Sequence, residues 1–186
     1  MRVIAGSHRG RHLSGPRGTS LRPTSDKVRE ALFSILGTRV TGRRFLDLYA
    51  GTGAVGIEAL SRGAETVTFV ESSLSTVGLL RKNLNTCRLI DRAQVWNERT
   101  SAYLNRRDWW NGPYHVVFAD PPYAAAEEID VLSGLGQPGL LTHDAVIVIE
   151  QASKTELPDT MGGAPLKRRY EYGDTVLNLY QSLDQL

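Results

Sequence analysis

Phe45-Leu46-Asp47-Leu48-Tyr49-Ala50-Gly51-Thr52-Gly53-Ala54-Val55-Gly56 is the stretch of sequence that decides the fold. Its first five residues predict a buried strand, the small residues that follow predict a turn, and the apolar spacing after them predicts a helix. Gly51 and Gly53 allow the backbone to turn tightly and to approach a ligand closely. The helix N-terminus behind the turn offers N–H groups without partners in the helix. The stretch therefore predicts a strand, a glycine turn and a helix that form a ligand site.

Two classes of cofactor site fit this spacing. Gly51-x-Gly53-x-x-Gly56 matches the dinucleotide fingerprint of nicotinamide-dependent oxidoreductases, with Glu71 where the ribose-binding acid would fall. Asp47, four residues before Gly51, supports a second interpretation, because this arrangement resembles motif I of class I S-adenosylmethionine methyltransferases. The later stretch Asp120-Pro121-Pro122-Tyr123 favours the second interpretation, since a dehydrogenase has no use for it.

Length and composition are those of an ordinary globular chain. A length of 186 residues allows one sizeable core but not two full α/β domains, and 41% hydrophobic with 23% charged residues is typical of soluble proteins. The apolar runs are too short to span a membrane and residues 1–6 are too short for a signal peptide, so we expect a cytoplasmic protein without membrane contact. The single cysteine, Cys87, excludes an internal disulfide and a cysteine-rich metal site, and no metal is expected.

Positive charge is concentrated near the N-terminus. Residues 1–44 contain ten Arg or Lys against Asp26 and Glu30, a balance of +8. The remaining residues carry twelve basic and eighteen acidic side chains, a balance of −6. This asymmetry predicts a basic arm that contacts a polyanion, although a solvated surface strand would also explain it.

The basic region divides into a hairpin and a helix. Residues 2–6 and 10–13 predict two short strands, and we expect residues 1–20 to form a basic hairpin arm ahead of one domain over residues 21–186. Thr24 or Ser25 can cap the following helix, which Gly37 ends. Its apolar stripe consists of Val28, Ala31, Leu32, Ile35 and Leu36, which leaves Lys27, Arg29 and Glu30 on other faces.

Strands and helices alternate through the body of the chain. Strands are predicted at 45–49, 66–71, 94–96, 115–120 and 145–150, and a closing antiparallel hairpin at 166–172 and 175–182. Helices are predicted at 55–62, from Ser72 or Ser73 to about 88, at 101–107 and at 127–135. Strands whose sequences predict burial on both faces alternate with amphipathic helices, which indicates an α/β fold with a doubly wound, mostly parallel, seven-stranded sheet.

Polar residues follow four of these strands. Asp47 to Gly53 end the first strand, Glu71 ends the second, Asn97 to Thr100 follow the third, and Asp120 to Tyr123 follow the fourth. Ligands of open α/β sheets bind at the carboxyl ends of the strands, where the strand order reverses. We therefore expect these residues to face one crevice.

The stretch Asp120-Pro121-Pro122-Tyr123 suits the methylation of an exocyclic amine. Such an amine is a poor nucleophile because its lone pair is delocalised into the base, and two acceptors placed off the ring plane help it to pyramidalise. The Asp120 carboxylate and the Pro121 carbonyl can be those acceptors, held rigidly by consecutive prolines. Tyr123 offers a flat face for stacking a base that has been taken out of its helix or loop. The alternative is a rigid polar turn without a chemical role.

The N-terminal sequence narrows the resemblance to one family. It reads Arg2-Val3-Ile4-Ala5-Gly6, Arg9-Gly10-Arg11, Leu21-Arg22-Pro23-Thr24 and Val28-Arg29-Glu30-Ala31-Leu32-Phe33, followed by Glu58-Ala59-Leu60-Ser61-Arg62-Gly63 after the glycine turn. Together with the two motifs above, the chain resembles the bacterial 16S ribosomal RNA (guanine-966-N2) methyltransferase family over nearly its whole length. The resemblance implies a Rossmann-like class I methyltransferase fold, S-adenosylmethionine as methyl donor, and 16S ribosomal RNA, within a small-subunit particle, as substrate.

The same resemblance assigns roles to individual residues. Catalysis falls to Asp120, Pro121 and Tyr123. The cofactor-binding residues are Asp47, Tyr49, Ala50, Gly51 and Gly53 along the methionine part, Glu71 at the ribose hydroxyls, and Asn97, Arg99 or Thr100 near the adenine. The phosphates of the RNA are assigned to Arg9, Arg11, Arg22, Lys27 and Arg29, some of which could instead pair with acids of the body.

Other functions share parts of this pattern. DNA base amino methylation uses the same Asp-Pro-Pro-Tyr chemistry, and a non-catalytic RNA-binding protein could keep the fold as a platform. Methylation of cytosine C5 would require a cysteine nucleophile, and Cys87 falls in a predicted helix away from the strand ends.

Overall fold

The structure is a computed structural model that describes residues 1–15, 25–122 and 126–181. Its strands are β1 (Arg44–Leu48), β2 (Thr66–Val70), β3 (Ala93–Trp96), β4 (Tyr114–Ala119), β5 (Leu141–Ala152), β6 (Thr160–Met161), β7 (Ala164–Tyr172) and β8 (Thr175–Gln181). Its α-helices are α1 (Asp26–Leu36), α2 (Ala54–Ser61), α3 (Leu74–Cys87), α4 (Thr100–Leu104) and α5 (Ala126–Ser133). Within the described ranges, no helix has the length and apolar character needed to cross a bilayer.

The eight strands form one sheet in the order β3-β2-β1-β4-β5-β8-β7-β6. The pairs from β3 through β5 are parallel, whereas β8 pairs antiparallel with β5 and with β7. The chain moves outward from β1 to β3 and then returns to the other side of β1 with β4, so the strand order reverses between β1 and β4. A ligand site is expected at the carboxyl ends of these two strands.

The mostly parallel sheet and its antiparallel closing hairpin are confirmed, but the predicted count of seven strands is wrong. The eighth strand, β6, contains only Thr160 and Met161, which pair with Pro165 and Ala164 of β7. Two residues cannot show the alternation by which a strand is recognised in a sequence, and their pairing depends on a neighbouring strand.

Helices cover both faces of the sheet, which produces two apolar layers. Side chains of α1, α2 and α3 pack with Phe45, Phe69 and Val148 on one face. Side chains of α4 and α5 pack with Leu46, Val117 and others on the opposite face. The strands β1, β2 and β4 are therefore buried on both sides over most of their length, whereas the edge strand β3 is only partly buried.

The N-terminal segment folds back on itself and lies against α2. Arg2 and His12 form an antiparallel bridge, and a 3-10 turn, Gly6–His8, closes the loop between them. Gly6 has a φ of +81°, and a Cβ at this position would lie 1.9 Å from the carbonyl oxygen of Ser61. The predicted reversal of the chain is confirmed, but the strands predicted at 2–6 and 10–13 are reduced to this single bridge. The division into an arm of residues 1–20 and a domain of residues 21–186 stays a prediction.

The helix α1 begins where the capping residues indicate. The Ser25 side chain accepts a hydrogen bond from the Val28 N–H, and Gly37 follows the last helical residue. The other candidate cap, Thr24, lies outside the described residues. Val28, Leu32 and Leu36 are buried against the body, so the predicted apolar stripe attaches the helix to the sheet.

Candidate active site

The strand register places four candidate residues side by side. Leu48 pairs with Val70 on one side and with Ala119 on the other, and Val70 pairs in turn with Trp96. Each of these residues is the last of its strand. The next residues along the chain, Tyr49, Glu71, Asn97 and Asp120, therefore emerge at one edge of the sheet, as predicted from the sequence.

The turn after β1 uses backbone conformations that side chains rarely adopt. Tyr49, Gly51 and Gly53 have φ values of 60°, 55° and 79°. A non-glycine residue held in this region is strained, and such strain is concentrated at binding and catalytic sites. The Gly53 N–H donates to the Ala50 carbonyl at 2.8 Å, and the Ala50 N–H donates to the Val70 carbonyl at 3.0 Å, so the turn is tied to β2.

The third glycine of the motif serves packing rather than ligand contact. A Cβ on Gly56 would lie 2.2 Å from Cε1 of Phe69 in β2. Only glycine lets α2 approach the sheet this closely, which is the packing role of the third glycine in dinucleotide-binding turns. The position of α2 in turn determines the position of the glycine turn that precedes it.

Asp47 lies behind the turn. Its side chain is 1% exposed, and Oδ2 accepts a hydrogen bond from the Gly56 N–H at 2.9 Å. Burial raises the pKa of Asp47 well above its ordinary value; the Gly56 hydrogen bond opposes this, and the charges of Asp120 and Glu71 add to it. The structure gives Asp47 a positioning role, and its contact with a cofactor stays a prediction.

Glu71 joins two segments of the crevice. One oxygen accepts from the Gly51 N–H at 2.9 Å, and the other accepts from the Ser73 N–H at 2.8 Å. Because each carboxylate oxygen has a second lone pair, Glu71 keeps the capacity to accept hydrogen bonds from ribose hydroxyls. Asn97 holds the same corner by donating to the carbonyls of Glu71 and Ser72, each at 3.0 Å.

The remaining predicted adenine contacts differ in accessibility. Arg99 is exposed before the first turn of α4, whereas Thr100 is buried as its first residue. Sequence reasoning did not single out Trp96, whose ring stacks on Trp109 with centroids 4.9 Å apart. The signal that could have found Trp96 is its position at the end of the predicted third strand, directly before Asn97, which the sequence predicts at the crevice.

Asp120 is the acidic group of the crevice with the clearest chemical signature. It follows β4 directly, and burial raises its pKa from 3.8 to about 6. Pro121 is half-buried beside it, and Pro122 is exposed. Tyr123, the predicted stacking residue, lies outside the described residues. The strand end thus holds a desolvated carboxylate next to a rigid proline backbone.

Cys87 does not face this crevice. Its side chain is fully buried in the last turn of α3, and burial raises the pKa of its thiol. A thiol that is buried away from the crevice cannot reach a base bound there, so methylation of a ring carbon through Cys87 is excluded. In the ranges that the structure describes, no three His, Cys, Asp or Glu side chains are arranged to hold a metal ion.

The predicted RNA-binding residues have three different outcomes. Arg9, Arg11 and Lys27 are exposed, although Arg11 also donates to the Thr86 carbonyl at 2.9 Å. Arg22 lies outside the described residues. For Arg29 the prediction is wrong, because its side chain is completely buried.

Arg29 instead attaches the N-terminal segment to the body. Its guanidinium donates to the Arg2 carbonyl at 2.5 Å and to Asp26 at 3.0 Å, and it lies 3.9 Å from a carboxylate oxygen of Glu58. Glu58 is also fully buried, and its oxygens accept from the N–H groups of Ile4 and Ala5 at 2.7 and 2.9 Å. A charged residue of a helix is usually exposed, so the position of Arg29 outside the apolar stripe of α1 predicts a surface residue and not this attachment.

The crevice suits S-adenosylmethionine by the chemistry of its groups. The turn residues with left-handed backbone conformations allow the backbone to approach a cofactor closely. Glu71, at the end of β2, supplies acceptors for ribose hydroxyls. Asp120, at the end of β4, lies on the other side of the point between β1 and β4 where the strand order reverses. This fold and this site define a class I methyltransferase, the class that uses S-adenosylmethionine as its methyl donor.

Comparison with known proteins agrees with this class. The chain belongs to the family described as Conserved hypothetical protein 95, whose model matches residues 1–181. Ribosomal RNA small subunit methyltransferase D of Escherichia coli is 35% identical over 181 residues, covering 97% of this chain and 89% of that protein. YlbH of Bacillus subtilis is 38% identical over 181 residues, covering 97% of this chain and 98% of that protein. The resemblance found in the sequence is confirmed.

A solved structure shows the same fold over the whole chain. The structure of yhhF from Escherichia coli matches with a TM-score of 0.86 at 35% identity, covering 100% of this chain and 99% of that one. The Rossmann-like class I fold is therefore confirmed, and the alternative of a nicotinamide-dependent oxidoreductase is set aside.

Proposed function

We propose that this protein transfers a methyl group from S-adenosylmethionine to the exocyclic N2 amine of a guanine in 16S ribosomal RNA. The observation that carries the proposal is the position of Asp120-Pro121. A desolvated carboxylate follows β4 immediately beside the turn after β1, because Ala119 and Leu48 are paired. The names of the relatives support ribosomal RNA as the substrate, and the sequence resemblance supports the N2 amine of guanine.

Asp120 and Pro121 orient the amine. A carboxylate oxygen of Asp120 and the Pro121 carbonyl accept hydrogen bonds from the two N–H groups of the amine, and this directs the nitrogen lone pair out of the base plane. Asp120 need not be a strong base, since the amine proton becomes acidic once the nitrogen is methylated. Tyr123 stacks on the base and holds it outside its own helix or loop. Two fixed acceptors of this kind stabilise the transition state without reorganisation during the reaction.

The glycine turn and the next two strand ends hold the cofactor. S-adenosylmethionine, when bound, supplies a methyl group that its sulfonium centre makes electrophilic. The backbone from Tyr49 to Gly53 lies along the methionine part, and Glu71 accepts from the ribose hydroxyls. Asn97, Arg99 and Thr100 border the adenine. Asp47 keeps the turn in place through the Gly56 N–H.

The exposed cations of the N-terminal region hold the RNA backbone. Arg9, Arg11 and Lys27, together with Arg22, supply phosphate contacts that position the RNA without reading its sequence. The substrate is the RNA as part of a small-subunit ribosomal particle in the cytoplasm. Several separate cations suit a large, folded polyanion better than a single small phosphate.

Parallel methylation assays test the proposal. Small-subunit particles that lack the modification, free 16S RNA and DNA are incubated with radiolabelled S-adenosylmethionine, and the modified base is mapped by nuclease digestion and mass spectrometry. We expect N2-methylguanine in RNA, with the particle as the better substrate. Methylation of DNA alone would show a DNA amino methyltransferase, and tight RNA binding without transfer would show a non-catalytic binding protein.

A further inference from the structure

Asn83 is a buried amide on α3 that links the N-terminal segment to the glycine turn. Its Oδ1 accepts a hydrogen bond from the Ser14 N–H at 2.8 Å. Its Nδ2 donates to the carbonyl oxygens of Ser14 and Thr52, each at 3.0 Å. The side chain is 1% exposed. One amide therefore connects the end of the hairpin with the turn to which we assign the cofactor.

The partners of this amide determine its orientation. If the amide were rotated by half a turn, its NH2 group would face the Ser14 N–H, which is also a donor, and its oxygen would face the Thr52 carbonyl, which is also an acceptor. A shift of the Thr52 carbonyl must therefore be followed by Asn83 and Ser14, or else a buried hydrogen bond is broken. A broken hydrogen bond of this kind leaves polar groups unpaired away from water, which is unfavourable.

Ser61 fixes the hairpin without touching the turn. The Ser61 hydroxyl, at the far end of α2, donates to the Ala5 carbonyl at 2.6 Å and accepts from the His8 N–H at 3.0 Å. The Thr52 hydroxyl also reaches the N-terminal segment, but only through a weak contact of 4.0 Å to the Met1 sulfur. Ser61 thus serves for attachment alone, whereas Asn83 contacts both the segment and the turn.

We propose that Asn83 is a positioning residue that couples cofactor binding at the glycine turn to RNA binding by the hairpin, so that each ligand tightens the binding of the other. The inference rests on the proposed function. A cofactor that restrains the Thr52 carbonyl also restrains Asn83 and Ser14, so the ordering needed for the second ligand has already been achieved by the first. Coupling of this kind is reciprocal by thermodynamic necessity.

Calorimetry measures the coupling directly. S-adenosylhomocysteine, which cannot transfer a methyl group, is titrated into the protein in the absence and in the presence of saturating unmodified 16S RNA. We expect the RNA to tighten binding by about fivefold in the parent protein, at the lower end of typical couplings. In Asn83→Ala the ratio of the two affinities should fall close to one.

Ser61→Ala is the matched control, because it loosens the hairpin but leaves the bond to Thr52 in place. It should keep the parent ratio even if RNA affinity decreases. Asn83→Ser, whose hydroxyl is too short to bridge Ser14 and Thr52, replaces Asn83→Ala if the latter does not fold. A parent ratio of one, or an unchanged ratio in the folded Asn83 variant, would overturn the inference. If the parent protein does not bind RNA at all, the proposed function fails and the inference fails with it.

Discussion

Glu58 and Asp120 are both carboxylates withdrawn from water, and they have opposite surroundings. Glu58 lies among donors: two backbone N–H groups of the hairpin, the Arg62 guanidinium at 2.7 Å, and Arg29 at 3.9 Å. Asp120 lies at the edge of the crevice, and burial without comparable compensation raises its pKa to about 6. The donors around Glu58 stabilise the charge that burial penalises, whereas the surroundings of Asp120 leave its acceptor capacity for a ligand.

The contrast indicates which buried charges maintain the fold and which perform chemistry. A structural charge is expected to have its partners within the protein, because an unpaired buried charge destabilises the folded state. A catalytic acceptor is expected to lack them, because its partner is the substrate. The comparison predicts that removing the Glu58 carboxylate lowers stability, whereas removing the Asp120 carboxylate does not.

Glu58→Ala should produce the largest loss of stability. It leaves the Ile4 and Ala5 N–H groups and the buried Arg29 without their acceptor, and breaking a buried ion pair in this way costs about 3–5 kcal/mol. Chemical denaturation measures the change in the free energy of unfolding. Glu58→Gln retains an acceptor oxygen and should fall between the variant and the parent. A loss below about 1 kcal/mol would contradict the structural role of Glu58.

Asp120→Ala should lower the rate of methyl transfer by about 10²–10³, the usual effect of removing one preorganised polar group. Binding of cofactor and RNA should change little, and stability should not fall, because the desolvated charge is gone. Single-turnover kinetics and denaturation test the two statements together.

Asp120→Asn keeps an acceptor oxygen and should be milder. Tyr123→Phe should lower the transfer rate still less, because the ring can still stack on the base. Tyr123→Ala removes the ring and should not be mild. Transfer at the parent rate in Asp120→Ala would place the catalytic centre elsewhere.

Glu71 is an intermediate case, since its two oxygens hold Gly51 and Ser73 but can accept further hydrogen bonds. Glu71→Ala should weaken S-adenosylmethionine binding by about 1–3 kcal/mol, the contribution of a partly buried, charge-assisted hydrogen bond. Calorimetry measures the affinity, and circular dichroism checks the fold. Glu71→Gln keeps one acceptor and should lose less. An unchanged affinity in a folded Glu71→Ala protein would remove Glu71 from the cofactor site.

The pH dependence should separate activity from stability. Below a pH of about 6 Asp120 becomes protonated and keeps only its carbonyl oxygen as an acceptor, so the single-turnover rate should fall and level off near the rate of Asp120→Asn. Because the pKa of Asp120 is raised in the folded state, protonation favours folding, so its contribution to stability improves as the pH falls from about 6 toward 3.8. Asp120→Asn cannot titrate and should lack this fall in rate.

The smallest expected effect concerns the exposed cations. Replacing Arg9 and Arg11 by Gln should weaken RNA binding and reduce the slope of log affinity against log salt by about 0.7–0.9 for each phosphate that the protein no longer neutralises. Filter binding over a range of ionic strengths measures the slope. Arg81 and Lys82, exposed on α3, provide a control pair outside the hairpin. An equal change of slope in both pairs would mean that the hairpin has no special role.

The crevice could be predicted from the sequence because each of its residues is marked by its immediate neighbours in the chain. The apolar run before Tyr49, the turn residues Gly51 and Gly53, and Asp120-Pro121 each follow a strand directly, and parallel strands bring such ends together whatever the side-chain packing. The interface between the hairpin and the body was not predicted. This interface depends on contacts between residues more than fifty positions apart in the sequence, such as that of Glu58 with Ile4.

Arg29 shows the physical reason for that failure. On the helix its spacing places it away from the apolar stripe, which predicts exposure for a charged residue. The structure buries it because Glu58 and the Arg2 carbonyl lie opposite, and neither is near it in the sequence. Long-range compensation of this kind reverses the preference of a charged side chain for water.

The way in which the hairpin is attached limits how freely it can be exchanged between proteins. A segment joined only by its two ends could be grafted into a relative as an independent module. This hairpin, however, donates hydrogen bonds to Glu58 and both donates to and accepts from Ser61, and Gly6 lies so close to Ser61 that a side chain would not fit. A functional chimera must therefore transfer the matching faces of α2 and α3 together with the hairpin. The segment to which RNA binding is assigned and the helices that hold it would have to change together.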